Sequence, residues 1–279
     1  MKDRIGFMQG RLSPQVEGRI QAFPWTCWQE EFPLAERHDF HLMEWTLDQE
    51  RLYENPLLTP EGQAQIRALC NRHSLTIGSL TGDCFMQAPF WKAAGSNTDA
   101  LQRDFRAIAE ACAAVGISMI VVPLVDNGRL DTPAQENALV SFLSGESSLL
   151  RQRGLKVAFE SDLGPEDLAR FIGQLDSAAF GINYDIGNSA AMGFDSAEEL
   201  TAYGNRVVNV HIKDRVLGGT TVPLGTGNAD FDRVFGALAR VGYTGNYILQ
   251  TARAHDGNHA EALVRYRDMA VKWIETHGA

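Results

Sequence analysis

Short apolar runs alternate with longer amphipathic segments along the whole chain. The short runs lie at 4–8, 41–46, 76–80, 119–124, 156–160, 180–185, 207–213 and 247–251, and each is rich in Ile, Val, Phe, Leu or Tyr. Their length and their β-branched or aromatic content predict strands. Helices are predicted between them, at 28–37, 60–72, 98–115, 133–153, 165–174, 197–203, 230–241 and 259–276. The clearest is 98–115, where Leu101, Phe105, Ile108, Cys112 and Val115 recur at the helical period and Gly116 supplies the stop. Thr59 ahead of Pro60 is a start signal, a capping hydroxyl followed by a residue whose φ is already helical. Eight strand–helix units in strict alternation imply parallel strands joined by helical crossovers. That count in 279 residues predicts an α/β chain folded as one (β/α)8 TIM barrel domain over residues 1–279. A doubly wound open sheet is the competing arrangement. Against it, Gly10-Arg11-Leu12-Ser13-Pro14 after the first run lacks the G-x-G-x-x-G loop with which such sheets bind dinucleotides.

Barrels of this kind hold their chemistry at the C-terminal ends of the strands. Side-chain alternation sorts the residues there. Val157 and Phe159 oppose Ala158 and Glu160; Ile182 and Tyr184 oppose Asn183 and Asp185. Val208, Val210 and Ile212 oppose Asn209, His211 and Lys213, and Tyr247 and Leu249 oppose Ile248 and Gln250. The apolar sets fit under the helices, and the polar sets point into the barrel. Four consecutive strands therefore end in Glu160, Asp185, His211 and Gln250. Carboxylates so placed are costly to bury unless they are paired or bound to a metal. Oxygens with one imidazole and no thiolate suit a single divalent ion of the Mn²⁺, Mg²⁺, Co²⁺ or Zn²⁺ type.

Composition narrows the partners. Lys and Arg number 25 against 35 Asp and Glu, for a formal charge of −10, which argues against a nucleic-acid partner. No apolar run approaches the roughly 18 residues of a membrane span. Met1-Lys2-Asp3-Arg4 leads into an apolar stretch too short for a signal peptide. Cys27, Cys70, Cys84 and Cys112 show no CxxC spacing and read as reduced thiols, which predicts a cytoplasmic protein acting on a small molecule. A homo-oligomer is compatible with this pattern.

Phe159-Glu160, Asp185-Ile-Gly-Asn188, Val210-His211-Ile-Lys213-Asp214 and Leu224-Gly225-x-Gly227-x-x-Asp230-Phe231, in this order, resemble the xylose isomerase-like superfamily of sugar-phosphate isomerases and epimerases. Val241-Gly-Tyr-x-Gly245 is similar to the stretch before that family's last strand. The likeness runs over most of the chain and is most specific over 157–250. It implies a barrel with one Mn²⁺-type ion held by Glu160, Asp185, His211 and the last-strand residue, acting on a small sugar or sugar derivative, free or phosphorylated. The chain departs from the pattern at that last position, where Gln250 stands in place of Glu. An amide carbonyl can ligate a metal but cannot serve as a base at neutral pH. The family's epimerases pair two glutamates across the sugar. Glu160 matches one, and Gln250 removes the other.

Several reactions remain compatible with that change. An aldose–ketose isomerisation through an enediolate needs Glu160 alone as base. So does a metal-assisted lyase or dehydratase. A barrel that lost activity with the glutamate is a third reading, and the single strand-end histidine and acidic charge argue against an apurinic endonuclease relative. Glu44, Asp83, Asp126 and Lys213 are the candidates for a second acid. Glu160 and Lys213 are thus expected in catalysis, and Glu44, Asn188, Arg215, Arg253 and Trp91 in substrate binding. Trp25, Trp28, Phe85, Phe90 and Trp91 on loops are expected to stack on a sugar or cover the mouth. Arg11, Lys92, Lys213, Arg215 and Arg253 are the basic residues near it, and Gly225 and Gly227 form a conceivable phosphate loop.

Overall fold

In the computed structural model, which describes residues 2–279, eight parallel strands form a closed barrel. They are β1 (Ile5–Met8), β2 (Leu42–Thr46), β3 (Thr76–Thr81), β4 (Met119–Leu124), β5 (Lys156–Ser161), β6 (Phe180–Asp185), β7 (Val207–Ile212) and β10 (Asn246–Leu249). Between β7 and β10 lies a two-stranded antiparallel ribbon of β8 (Asp214–Arg215) and β9 (Thr221–Val222). Barrel neighbours follow chain order, and β10 pairs with both β7 and β1 to complete the ring. The (β/α)8 expectation is the observed architecture.

Ten α-helices accompany the strands among the described residues: α1 (Glu31–Arg37), α2 (Pro60–His73), α3 (Asp83–Gln87), α4 (Ser96–Val115), α5 (Pro133–Gln152), α6 (Pro165–Gly173), α7 (Ile186–Met192), α8 (Ser196–Tyr203), α9 (Phe231–Arg240) and α10 (His259–His277). None is long and apolar enough to cross a membrane. Helices α3 and α7 were not expected. They span one to two turns, too short for a 3.6-residue period to show in the sequence. Helix α7 starts directly from a strand end, where the Asp185 carboxylate accepts the Asn188 N–H at 2.8 Å and caps it. The helix expected at 28–37 divides into a 3₁₀ turn at Trp28–Glu30 and α1. Pro33 falls in the first turn of α1, where a missing N–H costs no hydrogen bond.

Strand alternation sets the two apolar layers. Phe7, Val157, Phe159, Ile182, Val210, Tyr247 and Leu249 belong to the large layer between strands and helices. Burying each such side chain contributes about 1.5–3 kcal/mol. On the other face, Met8, Leu42 and Ile248 form a small separate cluster inside the barrel. Polar side chains take the rest of that interior. The loop aromatics join the outer layer: Trp28, Phe85, Phe90 and Trp91 are buried there, and Trp25 packs edge-on to Phe23 under the Arg51 guanidinium at 4.0 Å. The expectation of an aromatic platform at the mouth is therefore not met, because packing among themselves buries more of these rings than a wet rim would.

Candidate active site

Glu160, Asp185 and His211 end three adjacent strands, and one ligand atom from each lies within 4.8 Å of the others. All three are buried. The register places Asp185 level with His211 across the β6–β7 pairing. The imidazole Nε2–H donates to Glu44 Oε1 on β2 at 2.7 Å. That contact turns Nδ1 toward the two carboxylates, 3.0 Å from Glu160 Oε2 and 3.8 Å from Asp185 Oδ2. Neither approach is an aligned hydrogen bond, and Nδ1 and Asp185 Oδ2 are left without a hydrogen-bond partner. Buried polar atoms are nearly always partnered. An unpartnered imidazole nitrogen, and an Asp185 oxygen that has only the Lys213 ammonium beside it, next to a third carboxylate oxygen and with the imidazole fixed from behind by a carboxylate, fit a divalent cation. These residues can hold a metal ion.

Charge is concentrated here. Burial by itself would lower the His211 pKa, but the carboxylates of Glu44, Asp185 and Glu160 raise it well above its ordinary value. Burial would raise Asp185, yet Lys213 and His211 hold it below the usual carboxylate range. Glu44 is likewise pulled down against its burial, by His211 and by the Ser79 and Thr81 hydroxyls, each donating to it at 2.5 Å. Asn209 Nδ2 donates to the same carboxylate at 3.1 Å and to Asn183 Oδ1 at 2.8 Å.

Glu160 is held by two amides. Asn188 Nδ2 donates to Oε1 at 2.6 Å and Asn183 Nδ2 to Oε2 at 3.1 Å. Asn188 Oδ1 in turn accepts from Arg215 Nη1 at 2.8 Å. Lys213 Nζ lies 2.7 Å from Asp185 Oδ2 and donates to Gln250 Oε1 at 2.7 Å. Gly187 makes this placement possible, since a Cβ there would stand 2.7 Å from Lys213 Cγ. The glycine of the Asp185-Ile-Gly-Asn188 motif is thus the floor on which the lysine lies.

A cavity of about 770 Å³ opens over these strand ends, lined among others by Gln21, Asp83, Glu160, Asn188, Lys213, Arg215 and Gln250. Of the three candidate ligands only Glu160 reaches its wall. Most of the predicted residues therefore meet in one place, with corrections. Gln250 was expected as a fourth ligand, but its carbonyl oxygen is turned to Lys213. Glu44 was expected at the substrate or as a second acid. It has no exposed surface and lies behind His211, because its height in the barrel is level with Met8. Trp91 is buried and donates its indole N–H to the Gly128 carbonyl at 3.1 Å, away from the cavity. Arg253 braces the loop after β1 through the Ser13 carbonyl at 2.7 Å. Arg11 does the same through the Thr251 and Ile20 carbonyls, and Lys92 pairs with Asp131 at 2.6 Å. Asp126 sits exposed on the rim.

The Gly225–Gly227 loop also differs from expectation. Asp214 Oδ2 accepts the N–H groups of both glycines at 2.9 Å, and Oδ1 accepts that of Ala229 at 3.1 Å. A Cβ at Gly227 would lie 2.3 Å from that carboxylate. The anion in this cradle is the protein's own, so no donors remain there for phosphate. Other residues of the site were not singled out beforehand. Asn183, Asn209, Ser79 and Thr81 were signalled by polar character on inward-facing strand positions. Gln21 sits on a long loop, where no period exists to read.

Residues 32–271 match the model of a family described as xylose isomerase-like TIM barrel. An L-ribulose-5-phosphate 3-epimerase, UlaE, of Salmonella paratyphi A is 34% identical over 106 residues, which are 38% of this chain and 36% of that protein. The matched stretch thus spans about a third of that relative's length. Among solved structures, a xylose isomerase domain protein from Planctomyces limnophilus superimposes with a TM-score of 0.77 at 15% identity, covering 99% of this chain and 98% of that one. The IOLI protein, solved with a bound zinc atom, gives a TM-score of 0.77 at 17% identity over 98% of this chain and 99% of its own. At such identities these two show a shared fold.

Proposed function

Because the chain belongs to the xylose isomerase-like TIM barrel family, we propose that it is a metal-dependent isomerase or epimerase of a small keto or aldo sugar, with Glu160 as the base. The observation that carries this reading is the position of Glu160. Its carboxylate alone among the three candidate ligands lines the cavity, with both oxygens oriented by asparagine amides. A base so held can take a proton from the carbon next to a substrate carbonyl. A hard divalent ion held by Glu160, Asp185 and His211, with Mn²⁺ foremost, would supply stabilisation of charge on the carbonyl oxygen.

The remaining wall residues suit a polyhydroxylated substrate. Lys213 presents an ammonium to the cavity while anchored to Asp185 and Gln250, so it can donate to a substrate oxygen or relay a proton. Arg215 is held by neutral acceptors, the Gly219 carbonyl and Asn188 Oδ1, and forms no ion pair with a carboxylate among the described residues. Its charge is available for an anionic group, which favours a phosphorylated sugar. The similarity to an epimerase acting on L-ribulose 5-phosphate points the same way.

The test is solvent-deuterium exchange with Mn²⁺-loaded protein and a panel of ketopentoses and ketohexoses, free and phosphorylated. Deuterium should enter the carbon next to the carbonyl of at least one sugar, without loss of water. Glu160→Gln should abolish that exchange by a factor of about 10³ or more. Exchange by the variant at the parent rate would overturn the assignment, and release of water would move the protein to the lyases.

A further inference from the structure

Glu160 attacks one face of a sugar, and inversion at that carbon requires a proton donor for the other face. Gln250 cannot be that donor. A different carboxylate stands close to it. Asp83 opens α3 straight from the end of β3, is 8% exposed and lines the same cavity as Glu160. Its Oδ2 accepts from Gln21 Nε2 at 2.6 Å, and Gln21 Oε1 accepts from Gln250 Nε2 at 3.0 Å. One amide therefore separates Asp83 from the position at which the family pattern places its second acid.

We propose that Asp83 is the second acid of the reaction, standing in for the carboxylate that Gln250 lacks. This rests on the epimerase reading. Several observations favour it over a structural role. Asp83 caps no helix, although it begins one. It forms no salt bridge among the described residues, because Lys213 is engaged by Asp185 and Gln250. Among the described residues its only hydrogen bond is through Oδ2, so Oδ1 remains for a ligand. Strand β4 lies between β3 and β5, so Asp83 and Glu160 enter the cavity from separate positions on the rim. Burial, with Asp48 and Glu160 nearby, raises Asp83 to about 7 against the lowering effect of Gln21 and Lys213. Both protonation states are then populated at neutral pH, as an acid that must also act as a base requires.

The step balances. The Glu160 carboxylate takes the proton from the carbon next to the ketone. The C–H electron pair forms the C=C bond, and the carbonyl oxygen takes the charge. The Asp83 carboxylic acid then returns a proton to the opposite face of the same carbon, and the electron pair closes the new C–H bond. Glu160 loses its proton to water and Asp83 regains one from water, so the sugar is changed only in configuration.

The experiment compares the parent with Asp83→Asn and Asp83→Ala, Mn²⁺-loaded, in D₂O on the sugar that the parent accepts. From the epimer whose proton Glu160 removes, both variants should still exchange that proton, within about threefold of the parent, by reprotonation on the same face. Epimer formation should fall by about 100-fold or more. From the opposite epimer, exchange and turnover should both be lost. Thermal melts establish that each variant is folded, and either folded variant suffices. Epimer formation within threefold of the parent, or equal loss of exchange from both epimers, would overturn the proposal. A parent that neither exchanges nor epimerises any sugar would instead overturn the underlying reading, and the role of Asp83 with it.

Discussion

Tyr184 and Asp185 are neighbours on β6 that face opposite ways, and the polar networks they enter differ in kind. Outward, the Glu199 carboxylate accepts the hydroxyls of Tyr184 at 2.9 Å, Tyr203 at 2.9 Å and Ser189 at shorter range. Every donor is neutral, both carboxylate oxygens are served, and burial raises the Glu199 pKa against the pull of these hydroxyls. Inward, Asp185 meets Glu160, His211 and Lys213, all ionisable, and two buried atoms lack a hydrogen-bond partner. The first network is complete and holds α8 against the sheet. The second has capacity left over. Asp214 belongs with the first kind, its carboxylate filled by three backbone N–H groups. Buried polarity alone does not mark a functional site; unfilled valence beneath a residue that lines a cavity does.

Substitutions on the two faces should separate function from stability. The largest effect is expected inward, where Glu160→Gln removes the base. Turnover should fall by about 10³-fold or more while the melting temperature stays within a few degrees, measured by exchange and calorimetry. Outward, Glu199→Ala strands three buried hydroxyls. It should cost about 2–3 kcal/mol of stability by denaturant unfolding and leave deuterium exchange near the parent level. Exchange lost together with stability would mean that the two networks are coupled through β6.

A pH-dependent effect concerns Asp83. Its folded pKa, pushed up to about 7, lies above the ordinary aspartate value, so the folded state binds the proton more tightly. Its contribution to stability is therefore greatest below the unfolded value, declines as pH rises toward about 7, and is constant above that. Asp83→Asn should gain stability relative to the parent by roughly 3 kcal/mol between pH 4 and pH 7, with little further gain at pH 8. A gap that does not change with pH would show that Asp83 is not raised, and would weaken its role as a donor.

Much of this was legible in the sequence because strand parity is a strict signal. It placed Glu160, Asp185 and His211 on one face of adjacent strands, and the barrel brings them together. Parity does not encode height. Glu44 has the right face, but the stagger of β2 sinks it behind His211, where it orients the imidazole instead of meeting substrate. Loops were harder. Gly225 and Gly227 do surround an anion, but no local pattern distinguishes a bound phosphate from the carboxylate of Asp214. Trp91 and Arg253 were near the mouth in sequence and away from it in space, since a loop residue's direction depends on packing. The link from Gln21 to Asp83 joins segments 62 residues apart and has no sequence signature.

The central claim is that the inward network of β6 holds a divalent cation and the outward one does not. Calorimetric titration of metal-stripped protein with Mn²⁺ tests it most directly, comparing the parent with Asp185→Asn and Glu199→Gln. The account predicts one ion per chain for the parent and Glu199→Gln, with affinity reduced about 100-fold or more in Asp185→Asn. No binding by the parent, or equal binding by Asp185→Asn, would contradict it.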